Sequence, residues 1–257
     1  PAELKNPGLK YLAATRLGAC QSPESLQRLL AAGANDSDDL YERITRRKAL
    51  EALGRRKDRS ALPVLLAALQ ADDEPTVVNA ADAIARLSTP LNKEEQTALL
   101  QALQGPDNQR RAVLQAFCRL GMNDASGQID HCRNDSNPLV AGAAHAYAVR
   151  VLGDQQGLHP LVEQLRDDNP GRRRAAVIDL GDAGRIEAMA ALIRCPVSMP
   201  LRAQSAFQMA TSQAGTVDPD ATDLLKALLQ DDPRQLNLDG IPETAADPEA
   251  IKEGLQH

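Results

Sequence analysis

Tryptophan is absent from this chain of 257 residues, and aromatic side chains make up only 2% of it. A surface that stacks bases on aromatic rings therefore has nothing to be built from. A net charge of -6 and a pI near 5.3 also remove the basic footprint of a general nucleic-acid binder. No apolar run reaches the roughly eighteen residues needed to span a bilayer, and no signal-peptide pattern opens the chain. The four cysteines, Cys20, Cys118, Cys132 and Cys195, are scattered without a CxxC pair. That spacing excludes a disulfide framework and a cysteine-based metal site, and it fits a reducing compartment. GxSxG, HExxH and P-loop motifs are missing too. The expected protein is soluble and intracellular. It starts at Pro1 rather than Met, so N-terminal residues are expected to precede it.

What the chain does have is alanine and leucine within a 43% hydrophobic composition. Both residues favour helices, and the small size of alanine lets helices approach closely. Small-residue steps recur at Ala13-Ala14, Ala49, Ala80-Ala81, Ala112, Ala143-Ala144, Ala175-Ala176 and Ala206, with intervals of 31 or 32 residues after a first interval of 36. Gly18, Gly54, Gly121, Gly153 and Gly181 stand where left-handed helix C-caps are expected. A second apolar helix follows each, as in 61–69, 95–103 and 158–165. Turns containing Pro75, Pro106, Pro138 and Pro170 then open the next unit, proline being well suited to a first helical position. One unit is thus helix, glycine turn, helix, proline turn. A single unit cannot bury its apolar faces, whereas about seven stacked units bury a continuous core. The expected fold is an all-α, HEAT-like solenoid, a right-handed superhelix over 1–230, with Ala31 to Asp39 as its loosest connection. Residues 231–257 read as an acidic, turn-rich tail with a short helix from Pro248 to Leu255.

The repeat, with Arg ahead of the small pair and Leu-Gly at the helix end, resembles the phycobilin lyases of the E/F type over Leu9 to Leu229. The stretches 41–58, 105–111, 137–147 and 196–202 are similar to the branch that serves phycoerythrin. The resemblance implies a protein that attaches phycoerythrobilin to a cysteine of a phycoerythrin α or β subunit through a thioether, with or without isomerisation to phycourobilin. It implies a cyanobacterial cytoplasmic location near phycobilisomes and no cofactor, the bilin being the substrate. A second lyase subunit is a further expected partner; nucleic acid and a membrane span are not.

In that family the Arg-bearing helix lines the concave face, so its unusual polar residues are the site candidates. A bilin carries two propionates and a row of pyrrole N–H groups, which call for Arg and for carboxylate respectively. Arg43, Arg47, Asn79, Asp82, Arg111, Arg173 and Arg174 form the candidate binding set. For the consensus arginines Arg46, Arg110 and Arg173, bracing of neighbouring units against loop carboxylates such as Asp73 or Asp168 is the competing role. His145, Tyr147 and Asp179 are the candidate catalytic set: histidine titrates near neutrality and can move a proton, and Asp179 interrupts apolar helix text. Asp82 and Asp179 each have an intramolecular ion pair as the alternative role. Cys132 beside His131 is a candidate thiol, weighed against a small apolar residue ending a helix. His159, at a helix start, and the terminal His257 read as structural or incidental. Competing functions are a pure protein-docking scaffold, which the fold alone supports equally, and a phycobilisome-degradation adaptor with the same repeats. A DNA-repair glycosylase does not suit the acidic, Trp-free surface.

Overall fold

The computed structural model describes residues 7–123, 126–211, 219–230 and 236–241. The expected helix at 248–255 and His257 lie outside them. Among the described residues there are fourteen α-helices joined by short turns, and no strand. Their starts follow from sequence. Ser22, Asp39, Asp73, Asn92, Asn137 and Asn169 each accept a hydrogen bond from a backbone N–H one to three residues into the helix that follows. Pro23, Pro75, Pro138 and Pro170 fill first-turn positions just behind four of these caps. Each such cap contributes about 1 kcal/mol and satisfies a donor that the helix itself cannot.

The helices fall into two compact units, Pro1–Leu120 and Gly121–His257. In the first unit, α1 (Pro7–Leu17), α3 (Leu40–Arg56), α5 (Glu74–Leu87) and α7 (Asp107–Leu120) form one row, each packed on the next. Helices α2 (Pro23–Gly33), α4 (Leu62–Ala68) and α6 (Lys93–Gln101) form a looser second row behind it. In the second unit, α8 (Ser126–Asp130) precedes a row made of α9 (Pro138–Tyr147), α11 (Pro170–Ala183) and α13 (Met199–Ala210). That row is backed by α10 (Leu158–Gln164), α12 (Met189–Arg194) and α14 (Pro219–Gln230). Within each unit this is the stacking of an α-solenoid.

The tight rows are made by small residues. A Cβ on Gly54 would fall 2.6 Å from the Ala83 Cα, one on Gly18 2.9 Å from the Ala52 Cβ, and one on Gly181 2.9 Å from the Ser205 Cβ. Real side-chain carbons do not approach so closely, so only glycine allows these helices their spacing. This corrects the expectation that all the repeat glycines are C-caps. Gly121 and Gly153 are left-handed, but Gly54 and Gly181 lie inside helices whose left-handed caps are Lys57 and Gly184. Apolar side chains fill the remaining space: Leu50, Leu53, Ile84, Val113 and Phe117 in the first unit, and Val140, Leu161, Val177 and Leu192 in the second, are wholly buried. Part of the expected tail is anchored in the second unit. Ile241 is buried, and its carbonyl accepts a hydrogen bond from Arg166. Among the described residues no helix is long and apolar enough to cross a membrane.

Candidate functional site

In the first unit the polar residues of the tight row gather around two points. The first is Asp73, the N-cap of α5. Its Oδ2 accepts from the Thr76 backbone N–H at 2.9 Å and from the Arg47 Nε at 3.1 Å, and it pairs with a second Arg47 nitrogen and the Thr76 hydroxyl. One turn earlier on α3, one Arg43 guanidinium nitrogen stands 3.9 Å from the same carboxylate and the other 3.1 Å from Asp38. Burial alone would raise the Asp73 carboxyl, but the hydrogen bonds from Arg47 and Thr76 outweigh it and hold its pKa below the ordinary value. Bracing between successive repeats of this unit thus falls to Arg47, not to its neighbour. Arg46 turns back to the Gly33 carbonyl, at 3.1 Å, and to Asp36, tying down the 34–39 connection.

The second point is a groove between α5 and α7 with a volume of about 410 Å³. Glu74, Val78 and Asn79 line it from α5, and Asn108, Arg111 and Gln115 from α7. Positions 108, 111 and 115 are three and four residues apart, so they share one helix face. Pro75 and Ala112 complete its apolar floor. The Asn79 amide donates to the Pro75 carbonyl at 2.7 Å, which fixes its side chain along the groove. Two expected binding residues, Asn79 and Arg111, therefore meet here. Glu74, Asn108 and Gln115 were not singled out from sequence: Glu74 sits in an Asp-Glu-Pro string that reads only as a helix start. Its Oε1 is buried with no hydrogen-bond donor in reach among the described residues.

Asp82, one turn further along α5, lies at the same helix pair but is committed otherwise. Its two oxygens accept from the Arg86 Nε at 2.8 Å and from Arg119 of α7 at 3.0 Å. The intramolecular ion pair that competed with ligand binding is what the structure contains.

In the second unit, His145 on α9 is half-buried beside Arg133, Asp130 and Asp154, with its Nδ1 buried and without a hydrogen-bond partner. Arg133 bridges the two carboxylates, at 2.9 Å to Asp130 and 2.8 Å to Asp154. Burial first, and Arg133 second, push the His145 pKa below its ordinary value, so the ring is neutral at neutral pH. Tyr147 is a core residue: it is buried and its hydroxyl donates to the Met122 carbonyl at 2.8 Å. Asp179 is wholly buried, and a Cβ added to Gly142 of α9 would meet its Oδ2 at 2.8 Å. The missing side chain of Gly142 is what makes room for that carboxylate. Cys132 is buried in the 3-10 turn His131–Asn134, whereas His131 is exposed. Consecutive residues of such a turn diverge by about 120°, so the ring is not set against the thiol.

On α11, Arg173 donates to the backbone carbonyls of Asp167 at 2.7 Å and Asp168 at 3.0 Å, which is bracing through main chain instead of carboxylate. Arg174 is exposed. The structure thus brings Arg43 with Arg47, and Asn79 with Arg111, in the first unit. His145, Tyr147 and Asp179 are not assembled around one reacting centre.

Comparison with known proteins accords with this architecture. Residues 41–118 match the HEAT repeats family. A protein of Pseudanabaena tenuis called "Uncharacterized phycocyanin operon protein Y" is 29% identical over 89% of this chain and 55% of its own length. "Bilin biosynthesis protein PecE" of a Nostoc species is 31% identical over 61% of this chain and 62% of its own length. The chain therefore spans less than two thirds of either relative. A solved structure, the complex of CpcE and CpcF of phycocyanin lyase from Nostoc, shares the fold with a TM-score of 0.77 at 24% identity, covering 88% of this chain and 91% of the other. Repeat, fold and relatives coincide: the chain carries HEAT repeats over 41–118, has an α-solenoid fold and is similar to E-type bilin biosynthesis proteins.

Proposed function

We propose that this chain takes part in attaching a linear tetrapyrrole to a cysteine of a phycobiliprotein, with phycoerythrobilin and a phycoerythrin subunit as the pigment and acceptor. The observation that carries this reading is the α5–α7 groove, where an apolar floor is rimmed by Arg111, Asn79 and Glu74, in a chain similar to bilin biosynthesis proteins. The chemistry asks little of the lyase. The acceptor thiol adds across the ethylidene double bond of the bilin: a carbon–sulfur bond forms, the thiol proton ends on the pigment and nothing leaves. The nucleophile belongs to the acceptor, so the chain's contribution is to hold the pigment in one orientation and exclude wrong cysteines. That role needs no triad, in keeping with the buried Tyr147 and Asp179. The bilin is then a substrate and not a resident cofactor, and the natural setting is the cytoplasm beside phycobilisomes. CpcE was solved with CpcF; on the same reading this chain pairs with a second lyase subunit.

The test is co-expression with a phycoerythrobilin pathway and individual phycoerythrin subunits, followed by mass spectrometry of acceptor peptides. A bilin adduct on one cysteine, dependent on this chain, is the expected result. Acceptor peptides that stay unmodified, or are modified equally without the chain, defeat the reading and leave a docking scaffold.

A further inference from the structure

The α5–α7 groove holds an acceptor and a donor set that belong to one ligand chemistry. The Glu74 Oε1 is buried with no donor in reach among the described residues, a situation that costs about 1–3 kcal/mol if nothing supplies one. Arg111, from the facing helix, lines the same groove, and the amides of Asn79, Asn108 and Gln115 occupy the rim between. The floor is apolar: Pro75, Val78 and Ala112. A phosphate or a simple dicarboxylate matches Arg111 but would be repelled by Glu74. A purely cationic ligand matches Glu74 but not Arg111. A flat, apolar ring that bears both N–H groups and a carboxylate satisfies floor, acceptor and donors together.

Resting on the reading above, we propose that this groove is the subsite for the N–H and carboxylate edge of the tetrapyrrole. Glu74 accepts from pyrrole N–H groups, Arg111 receives a propionate, and Val78 with Ala112 supports the ring face. At about 410 Å³ the groove stands at the small end of ligand pockets. It therefore grips part of the pigment and leaves the ethylidene end outside, where an acceptor thiol can reach it. Asp82 and Asp179 are the other candidate carboxylates that the sequence singles out. The first is tied to Arg86 and Arg119 and the second is wholly buried, whereas Glu74 lines the α5–α7 groove beside Arg111.

The experiment titrates the purified chain with phycoerythrobilin and, separately, with its dimethyl ester, reading pigment absorption. The wild type is expected to bind the free acid about tenfold more tightly than the ester. In Arg111→Met the two forms bind alike. In Glu74→Gln both bind about tenfold more weakly, and the long-wavelength band of the bound pigment loses intensity. Asn108 is exposed, so Asn108→Asp leaves the fold intact while adding a negative charge at the rim; it weakens the free acid more than the ester. Wild-type affinity and spectrum in Glu74→Gln overturn the N–H assignment. Undiminished preference for the free acid in Arg111→Met, or equal weakening of free acid and ester in Asn108→Asp, overturns the carboxylate assignment. A wild-type chain that binds neither form overturns the functional reading itself, and this subsite with it.

Discussion

The two units share one repeat but place their charges differently. In the first, the buried polar side chains are mostly hydroxyl-bearing (Ser25, Thr45 and Thr76), with Arg46 the charged exception. Its other ionic groups, Arg43, Arg47, Asp82 and Arg119, stand at partly open positions along the tight row. In the second, Asp179, Asp182 and Arg202 are buried between helices. Asp182 accepts from Gln208 of α13 at 2.7 Å, and Arg202 donates to the Ile193 carbonyl. A charge inside a low-dielectric core has to be hydrogen-bonded to be tolerated, and it then fixes which helices can be neighbours. A charge on a half-open face is screened by solvent and does less for stability. The first unit is therefore the better place to look for recognition, and the second for rigidity.

The sharpest way to break this comparison is to remove a buried carboxylate. Asp179→Ala should lower unfolding stability by about 3 kcal/mol, because it empties a wholly buried position and removes the interaction made there; a loss below about 1 kcal/mol in urea denaturation would erase the contrast. Next comes the glycine contact. Gly54→Val drives a branched side chain into the Ala83 backbone and should cost about 3 kcal/mol, whereas Gly121→Ala, with nothing within 4 Å but a positive φ, should cost about 1 kcal/mol from backbone strain alone. Asp73→Ala removes both an N-cap and the partner of Arg47, for about 2 kcal/mol. Since the native pKa of Asp73 is lowered, this contribution is present above the unfolded carboxylate value near 3.9 and disappears as pH falls through the native one. Thermal melts from pH 6 to 2.5 should thus converge for wild type and variant. At the small end, Asp82→Ala breaks the half-exposed Arg86 and Arg119 bridges and should cost less than about 1 kcal/mol.

His145 supplies a separate pH signature for the second unit. Its native pKa is depressed, so the unfolded chain takes up a proton near pH 6.5 while the native ring resists until lower pH. Its share of stability is complete above that range and declines as pH drops through it. His145→Gln should flatten the pH dependence of melting between pH 7.5 and 5; parallel curves for the two proteins would show that the ring is not held neutral.

Much of the fold could be read from local chemistry. The proline turns with Asp73, Asn137 and Asn169 marked helix starts because a cap is decided by the residues at the turn itself. The role of glycine could not be read so directly. Gly54 and Gly181 end a Leu-Gly string that looks like a stop signal, yet the constraint on each comes from a distant residue of the next row helix, Ala83 or Ser205. The same limit applied to the site. Arg46 and Arg47 are adjacent in sequence, and only the orientation of α3 decides that one turns to the Gly33 carbonyl and the other to Asp73. Glu74 gave no sequence signal beyond its position at a helix start, because what singles it out is the open groove formed with α7.

The backbone-to-backbone approach at Gly54 and Ala83 separates two jobs that many binding proteins combine. Distance between neighbouring repeats is set on the packed side by atoms that carry no functional groups. Side chains on the opposite side can then be exchanged one at a time without resetting the scaffold, so a lineage can change what its surface recognises while keeping the same frame.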